Sequence, residues 1–209
     1  MQTAMFDATD KTAPGHYGPS QTALLLLDFH STLVYKLGGK AASAALGVAA
    51  SMRIWAKSHG IQVIHGLIDV NATPFPTCKG ADMLLGIVAT MKSDGAEEPA
   101  ELFEGGDDIT FTRRPGYISA LKSPGLVDFL QQNGIKSLIL TGLSTSGCVM
   151  RTAVSATDAE YVVTVISDAC ADPTEGMHEI MTGKVLNHMG YVATASEFQE
   201  GFAKARGGV

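Results

Sequence analysis

Short apolar runs at 22–27, 61–68, 137–141 and 161–167 constrain this chain more than any other feature. Each is too short for a buried helix and too uniformly apolar for a strand with one wet face. Each therefore reads as a strand covered on both sides. Shorter strand-like stretches follow at 109–112 and 191–193. Between them lie segments with helical spacing. One spans 41–58 through Leu46, Ala49, Met52 and Ala56 and stops at Gly60, and another spans 81–92 through Met83, Leu84, Ile87, Val88 and Met91. A third runs through Leu126, Phe129 and Leu130, opened by Pro124 and ended by Gly134. Further helices fall near 147–158, 174–187 and 196–205. This alternation predicts an α/β fold: a single-domain three-layer α/β/α sandwich around a mostly parallel, roughly six-stranded sheet.

Residues 1–20, with Pro14, Gly15, Gly18 and Pro19, read as a polar N-terminal arm, and 21–206 as the domain. The Gly/Glu/Pro-rich stretch 93–108 reads as a surface excursion. Only 17% of the 209 residues are charged, which points to surface covered in a homodimer or larger homo-oligomer. With net charge −6 and no basic cluster, neither nucleic acid nor an anionic membrane is expected as a partner. Three cysteines give no disulfide framework and suit a reducing compartment. Neither a secretory signal nor a membrane-length apolar span is visible, so a cytoplasmic protein is expected.

In parallel sheets, ligands bind beyond the carboxyl ends of the strands. Asp28 ends the first strand, Arg113 and Arg114 follow the third, and Cys148 follows the fourth in the loop Gly142-Leu143-Ser144-Thr145-Ser146-Gly147-Cys148. An acid, a cation and a thiol thus converge on one sheet edge. The thiol stands at a strand–helix junction, where the helix dipole and loop N–H groups favour a thiolate and an oxyanion. A carboxylate whose pKa is raised by burial can serve the thiol as its base. Together these groups permit acyl transfer through a thioester, most naturally amide or imide hydrolysis of a small molecule. A phosphate-binding module built on the small-residue loop is the non-enzymatic alternative, but neither Gly-x-Gly-x-x-Gly nor a Walker lysine is present.

Over about 20–200 the chain resembles the isochorismatase-like superfamily of cysteine hydrolases. The resemblance rests on Leu24-Leu25-Leu26-Leu27-Asp28-Phe29-His30, Gly60-Ile61-Gln62-Val63-Ile64-His65, Thr141 to Val149, and Tyr161 to Ala171. It implies an Asp–Lys–Cys triad with the acid at Asp28 and the nucleophile at Cys148. It also implies a non-proline cis peptide between Leu143 and Ser144. The family's lysine stands before a segment like Pro-Gly-Tyr, and here Arg114 occupies that place, with Arg113 the less favoured occupant. Arginine keeps the charge but cannot shuttle a proton, and its fork is larger. If the family's lysine must transfer a proton or fit a small pocket, activity here is reduced or redirected; a degenerate member in which Arg114 marks lost catalysis is a further reading.

Some members of the family cleave the vinyl ether of isochorismate, and in the siderophore-pathway members the nucleophile position is not cysteine. Cys148 therefore favours amidohydrolase chemistry, and the alternative is an isochorismatase in which Asp28 protonates the vinyl ether and Cys148 is incidental. Related nicotinamidases carry an Asp/His metal cluster after the second strand. Here His65, Asp69 and Asn71 stand there without a second histidine, so neither metal nor cofactor is expected, and His65 reads as a strand histidine bonded to a backbone carbonyl. Phe29, His30, Tyr35 and Tyr117 are the candidate substrate contacts, beside the loop N–H groups of Gly147 and Cys148. Cys78 and Cys170 are assigned no catalytic role, and Asp168 and Asp172 cap their loop or border the crevice.

Overall fold

The computed structural model of the chain describes residues 5–103 and 108–207. Six strands form one parallel sheet: β1 (Thr22–Leu27), β2 (Gln62–Ile68), β3 (Ile109–Arg113), β4 (Ser137–Leu143), β5 (Val162–Ala171) and β6 (Tyr191–Ala193). Their order is β3-β2-β1-β4-β5-β6. The helices are α1 (Ala42–Ser58), α2 (Ala81–Ser93), α3 (Leu126–Gln132), α4 (Met150–Asp158), α5 (Met177–Ile180) and α6 (Ala195–Lys204). Among the described residues, no helix is long and apolar enough to cross a membrane.

The leucine run of β1 is continuous because both faces of the strand are covered. Leu24 and Leu26 point into a layer with Ala45, Ala49 and Met52 of α1 and Phe198 of α6. Leu25 and Leu27 point into the opposite layer with Leu130 of α3 and Ala153 of α4. The buried face of α1 is made largely of alanines. Helix α6 opens with a capping box in which Thr194 and Glu197 satisfy each other's backbone N–H groups.

Two expectations for the periphery change. Residues 5–20 are not a free polar arm. Met5 and Ala13 are buried, Phe6 packs edge-on against Phe198, and the Arg206 guanidinium donates to the Tyr17 carbonyl. Residues 1–4 of that arm lie outside the described residues. The 93–108 stretch is not wholly surface either, because Leu102 is fully buried and Glu98 reaches inward to His65. Residues 104–107 of it lie outside the described residues.

Strand order reverses between β1 and β4, the point where chains leave the sheet in opposite directions and open a crevice. Two backbone features shape that crevice. Asp28, directly after β1, has φ +55°, a left-handed conformation that Asp tolerates better than most residues. In β4, Gly142 has φ +147° and lies opposite Leu27, and pairing with β5 shifts register between Leu140 and Gly142. A Cβ at Gly142 would sit 2.6 Å from the Leu27 Cβ, and still closer to the Leu27 carbonyl oxygen. Only glycine fits there.

Within β2, His65 bridges two carboxylates. Its Nδ1 is 2.7 Å from Glu98 Oε2, and its Nε2 is 3.4 Å from Asp108 Oδ2. Arg53 and Lys57 of α1 donate to the same Asp108 at 2.5 and 2.6 Å. The partners of His65 are thus charged side chains and not the backbone carbonyl expected from sequence. Burial pulls the imidazole pKa down, but the hydrogen bond and charge of Glu98, then those of Asp108, outweigh burial and raise it above the ordinary value.

Gly142→Ala is expected to destabilise the protein by about 1–3 kcal/mol through this clash, read as a lowered unfolding temperature. His65 makes a second expectation. A raised folded pKa stabilises fully below the ordinary histidine value and stops doing so as pH rises through the raised one. The unfolding temperature should therefore fall as pH is raised from 6, and His65→Gln should flatten that fall. An equal fall in both proteins would show that this bridge is not its source.

Candidate active site

The strand ends carry the site. Asp28 follows β1, and its N–H donates to the Gly66 carbonyl at 3.0 Å. Arg113 is the last residue of β3, paired with Ile68 of β2. Cys148 lies beyond β4 in the turn Thr145–Val149, whose Gly147 is non-helical, just ahead of α4. The Leu143–Ser144 peptide bond is cis.

Arg113 joins the other two. Its Nη1 and Nη2 donate to the two Asp28 carboxylate oxygens at 2.9 and 2.5 Å. Nη2 also lies 3.4 Å from Cys148 Sγ, and Nε donates to the Tyr117 carbonyl at 2.9 Å. Arg113, Asp28 and Cys148 are all buried. The expectation placed Arg114 here. Instead its side chain is turned away, donating to the carbonyls of Thr73 and Pro74 at 2.7 and 3.1 Å. The reason is the pleat. Burial alternates along β3 from Ile109 through Phe111 to Arg113, so Arg113 faces inward and Arg114 outward.

The electrostatics also depart from expectation. Burial pushes the Cys148 thiol pKa up, and the Asp28 charge adds to this. The Arg113 charge pulls it down but does not compensate, while a hydrogen bond to Asp28 keeps the proton on sulfur. The resting group is a neutral thiol and not the thiolate suggested by its place near a helix start. Burial pulls the Arg113 guanidinium pKa down, but the charge and hydrogen bonds of Asp28 outweigh it and hold the pKa above its ordinary value. Cys170, the other buried thiol, is pushed up to about 12 by burial.

The nucleophile loop is clamped from the β5 side. The Ser146 N–H donates to Asp172 at 2.8 Å, and the Thr145 hydroxyl lies 2.9 Å from His178 Nδ1. The Gly147 N–H donates to the Ser144 carbonyl at 3.1 Å, so it is not the open oxyanion donor expected of it. Thr152 of α4 stands 3.8 Å from Cys148 Sγ and accepts from the Ala120 N–H at 2.9 Å. Sequence reasoning missed the contributions of Thr152 and His178. Each depends on which turn of a later helix faces the loop.

Asp28, Arg113, Ser144 and Cys148 line a cavity of about 530 Å³ whose walls come from α2, the 115–118 loop and residues 33–38. Of the candidate substrate contacts, Tyr117 lines it, with its ring 5.2 Å from that of Phe75. Leu143 lines it as well. The other three candidates are elsewhere. Phe29 is buried in the α1-side core, because the main chain has already turned at Asp28. His30 is buried and accepts from the Ile68 N–H at 3.2 Å, holding the end of β2. Burial holds its ring below the ordinary histidine pKa. Tyr35 is exposed, outside the cavity.

Comparison with known proteins identifies the family and the fold. The family model described as Isochorismatase domain matches residues 22–197. A cysteine hydrolase from Pseudomonas syringae pv. phaseolicola superposes with TM-score 0.76 at 19% identity, covering 90% of this chain and 95% of that one. An N-carbamoylsarcosine amidase from Thermoplasma acidophilum superposes with TM-score 0.68 at 21% identity, covering 84% and 96%. A probable inactive nicotinamidase from Arabidopsis thaliana is 39% identical over 61 residues, a match spanning only 29% of this chain and 31% of that protein. A family match across most of the chain, on a six-stranded parallel sheet with helices on both faces, places this protein in the isochorismatase-domain family.

Proposed function

We propose that this protein is a small-molecule hydrolase that cleaves an amide or related C–N bond through a thioester on Cys148, with Asp28 as the base and Arg113 as the cation. One observation carries the reading: the Arg113 guanidinium holds the Asp28 carboxylate and reaches Cys148 Sγ at 3.4 Å, all three lining the same cavity. The amidase among the structural relatives is consistent with C–N cleavage.

The steps follow from the charges. A carboxylate offers about four acceptor positions, so two bonds from Arg113 leave Asp28 able to take a proton. As the Cys148 sulfur bonds to the substrate carbonyl carbon, its proton passes to Asp28. Charge then develops on the carbonyl oxygen, and the fixed guanidinium beside the sulfur stabilises it. The C–N bond breaks, the amine leaves with the proton from Asp28, and a thioester remains. A water molecule attacks that thioester, giving its proton to Asp28. The acid departs, and the proton returns to the sulfur. A neutral resting thiol fits this order, because proton and sulfur move together only when substrate is present. Arginine suffices in this scheme, since the cation stays charged throughout and Asp28 moves every proton.

A second reading has one observation in its favour. Both Asp28 oxygens are already held by Arg113, and the thiol is buried and protonated, which also suits a member that binds without turning over.

Mass spectrometry of the wild type with a slow amide substrate should show the mass of an acyl group on Cys148, and Cys148→Ser should lose at least about a thousandfold in kcat. Arg113→Gln should lose about a hundredfold or more in kcat/KM and about 3–5 kcal/mol of stability, because it strands the Asp28 charge. Arg114→Gln should leave both nearly unchanged. Equal losses in the two arginine variants, or an acyl adduct on Cys78 instead, would overturn the assignment. Binding of amides with no adduct and no turnover would establish the second reading.

A further inference from the structure

The cation of the site is already committed. A guanidinium has five N–H donors. In Arg113, Nε–H goes to Tyr117, one Nη1–H to Asp28, and the two Nη2–H groups to Asp28 and Cys148. A single Nη1–H remains for the oxygen of a substrate carbonyl. Inside the cavity, the positive charge of Arg113 is cancelled by Asp28. Lys79, the other cation along the lining, is exposed. An anionic group seated beside Arg113 would therefore lose its hydration with no uncompensated charge next to it, since Lys79 keeps its own charge in water.

The walls are apolar. Met83, Leu84, Ile87 and Val88 bring one face of α2 to the cavity, and Leu37 and Ile118 close it from two other segments. Exposed large hydrophobic side chains also gather at its mouth: Leu37, Met83, Tyr117 and Ile118 are each at least 42% exposed. Side chains of this size normally avoid water unless something covers them. A cavity of about 530 Å³ is large enough for more than an acetyl group.

We infer that the substrate is a neutral carboxamide whose acyl group is an apolar body, alkyl or aryl, seated against α2, with only its carbonyl reaching Arg113 and Cys148. This rests on the hydrolase reading above, and the test keeps the two apart. kcat/KM is measured for the wild type on acetamide, butanamide, hexanamide and benzamide, and on adipamate, the anionic counterpart of hexanamide. Affinity for the same compounds is measured by calorimetry with Cys148→Ala, which binds without reacting.

Burial of each added methylene should raise kcat/KM and affinity by up to about fourfold. Adipamate should fall at least tenfold below hexanamide in both measurements. Affinity that rises with chain length in Cys148→Ala, without turnover in the wild type, supports the apolar class and removes the hydrolase reading. Turnover of acetamide or adipamate that matches or exceeds that of hexanamide overturns the apolar class and leaves the hydrolase reading standing. A flat affinity series overturns the apolar class by itself.

Discussion

The buried ion pair between Arg113 and Asp28 is the interaction on which this site depends. Removing two charges from water costs several kcal/mol per ion, and a pair recovers this only with good geometry and all remaining donors satisfied. Here the geometry is bidentate, two more guanidinium donors reach the Tyr117 carbonyl and the Cys148 sulfur, and a single Nη1–H is left facing the site. The pair ties together three segments distant in sequence: the end of β1, the end of β3 with the following loop that carries Tyr117, and the turn carrying Cys148. It also accounts for Asp28 in a left-handed backbone conformation, which costs about 1–3 kcal/mol unless the surroundings hold it. The surroundings that hold it are the guanidinium on one side and the Gly66 carbonyl on the other.

Much of this was legible in the sequence. Apolar runs flanked by helical spacing announced a parallel sheet, and Asp28 and Cys148 followed from the rule that sites lie beyond strand ends. The choice between Arg113 and Arg114 was also written there, in the alternation Ile109, Phe111, Arg113 against Thr110, Thr112, Arg114. The position before Pro115-Gly116-Tyr117 points to Arg114 instead, and the two-residue period is the better guide because the strand runs one residue further than its apolar part. The docking of Phe6 on Phe198 was not legible, since the aromatic residue sits in a stretch of turn formers. Nor was the burial of Glu98, which depends on a histidine on β2, the neighbour of β1 in the sheet. The thiol's protonation depends on burial, and no local pattern around Cys148 reports that.

Arginine in place of the lysine implied by resemblance changes what the cavity can recognise. Lysine is a point charge with three rotatable donors, whereas a planar fork is consumed by the carboxylate it matches. Once Asp28, Tyr117 and Cys148 have taken their share, the site has charge for an oxyanion and little to hold a substrate carboxylate. The apolar face of α2 is consistent with that loss. Recognition then rests on contact with Met83, Leu84, Ile87 and Val88, and chemistry on the three groups at the strand ends.

The most direct measurement of this account is the rate of Cys148 alkylation by iodoacetamide as a function of pH, read by mass spectrometry with Cys78 as the half-buried internal reference. A neutral thiol held by burial and by Asp28 predicts slow alkylation at neutral pH, with a midpoint above the free-cysteine value of about 8.5. Fast, selective alkylation of Cys148 with a midpoint below that value would contradict the account, because it would mean that Arg113 holds a thiolate before any substrate arrives.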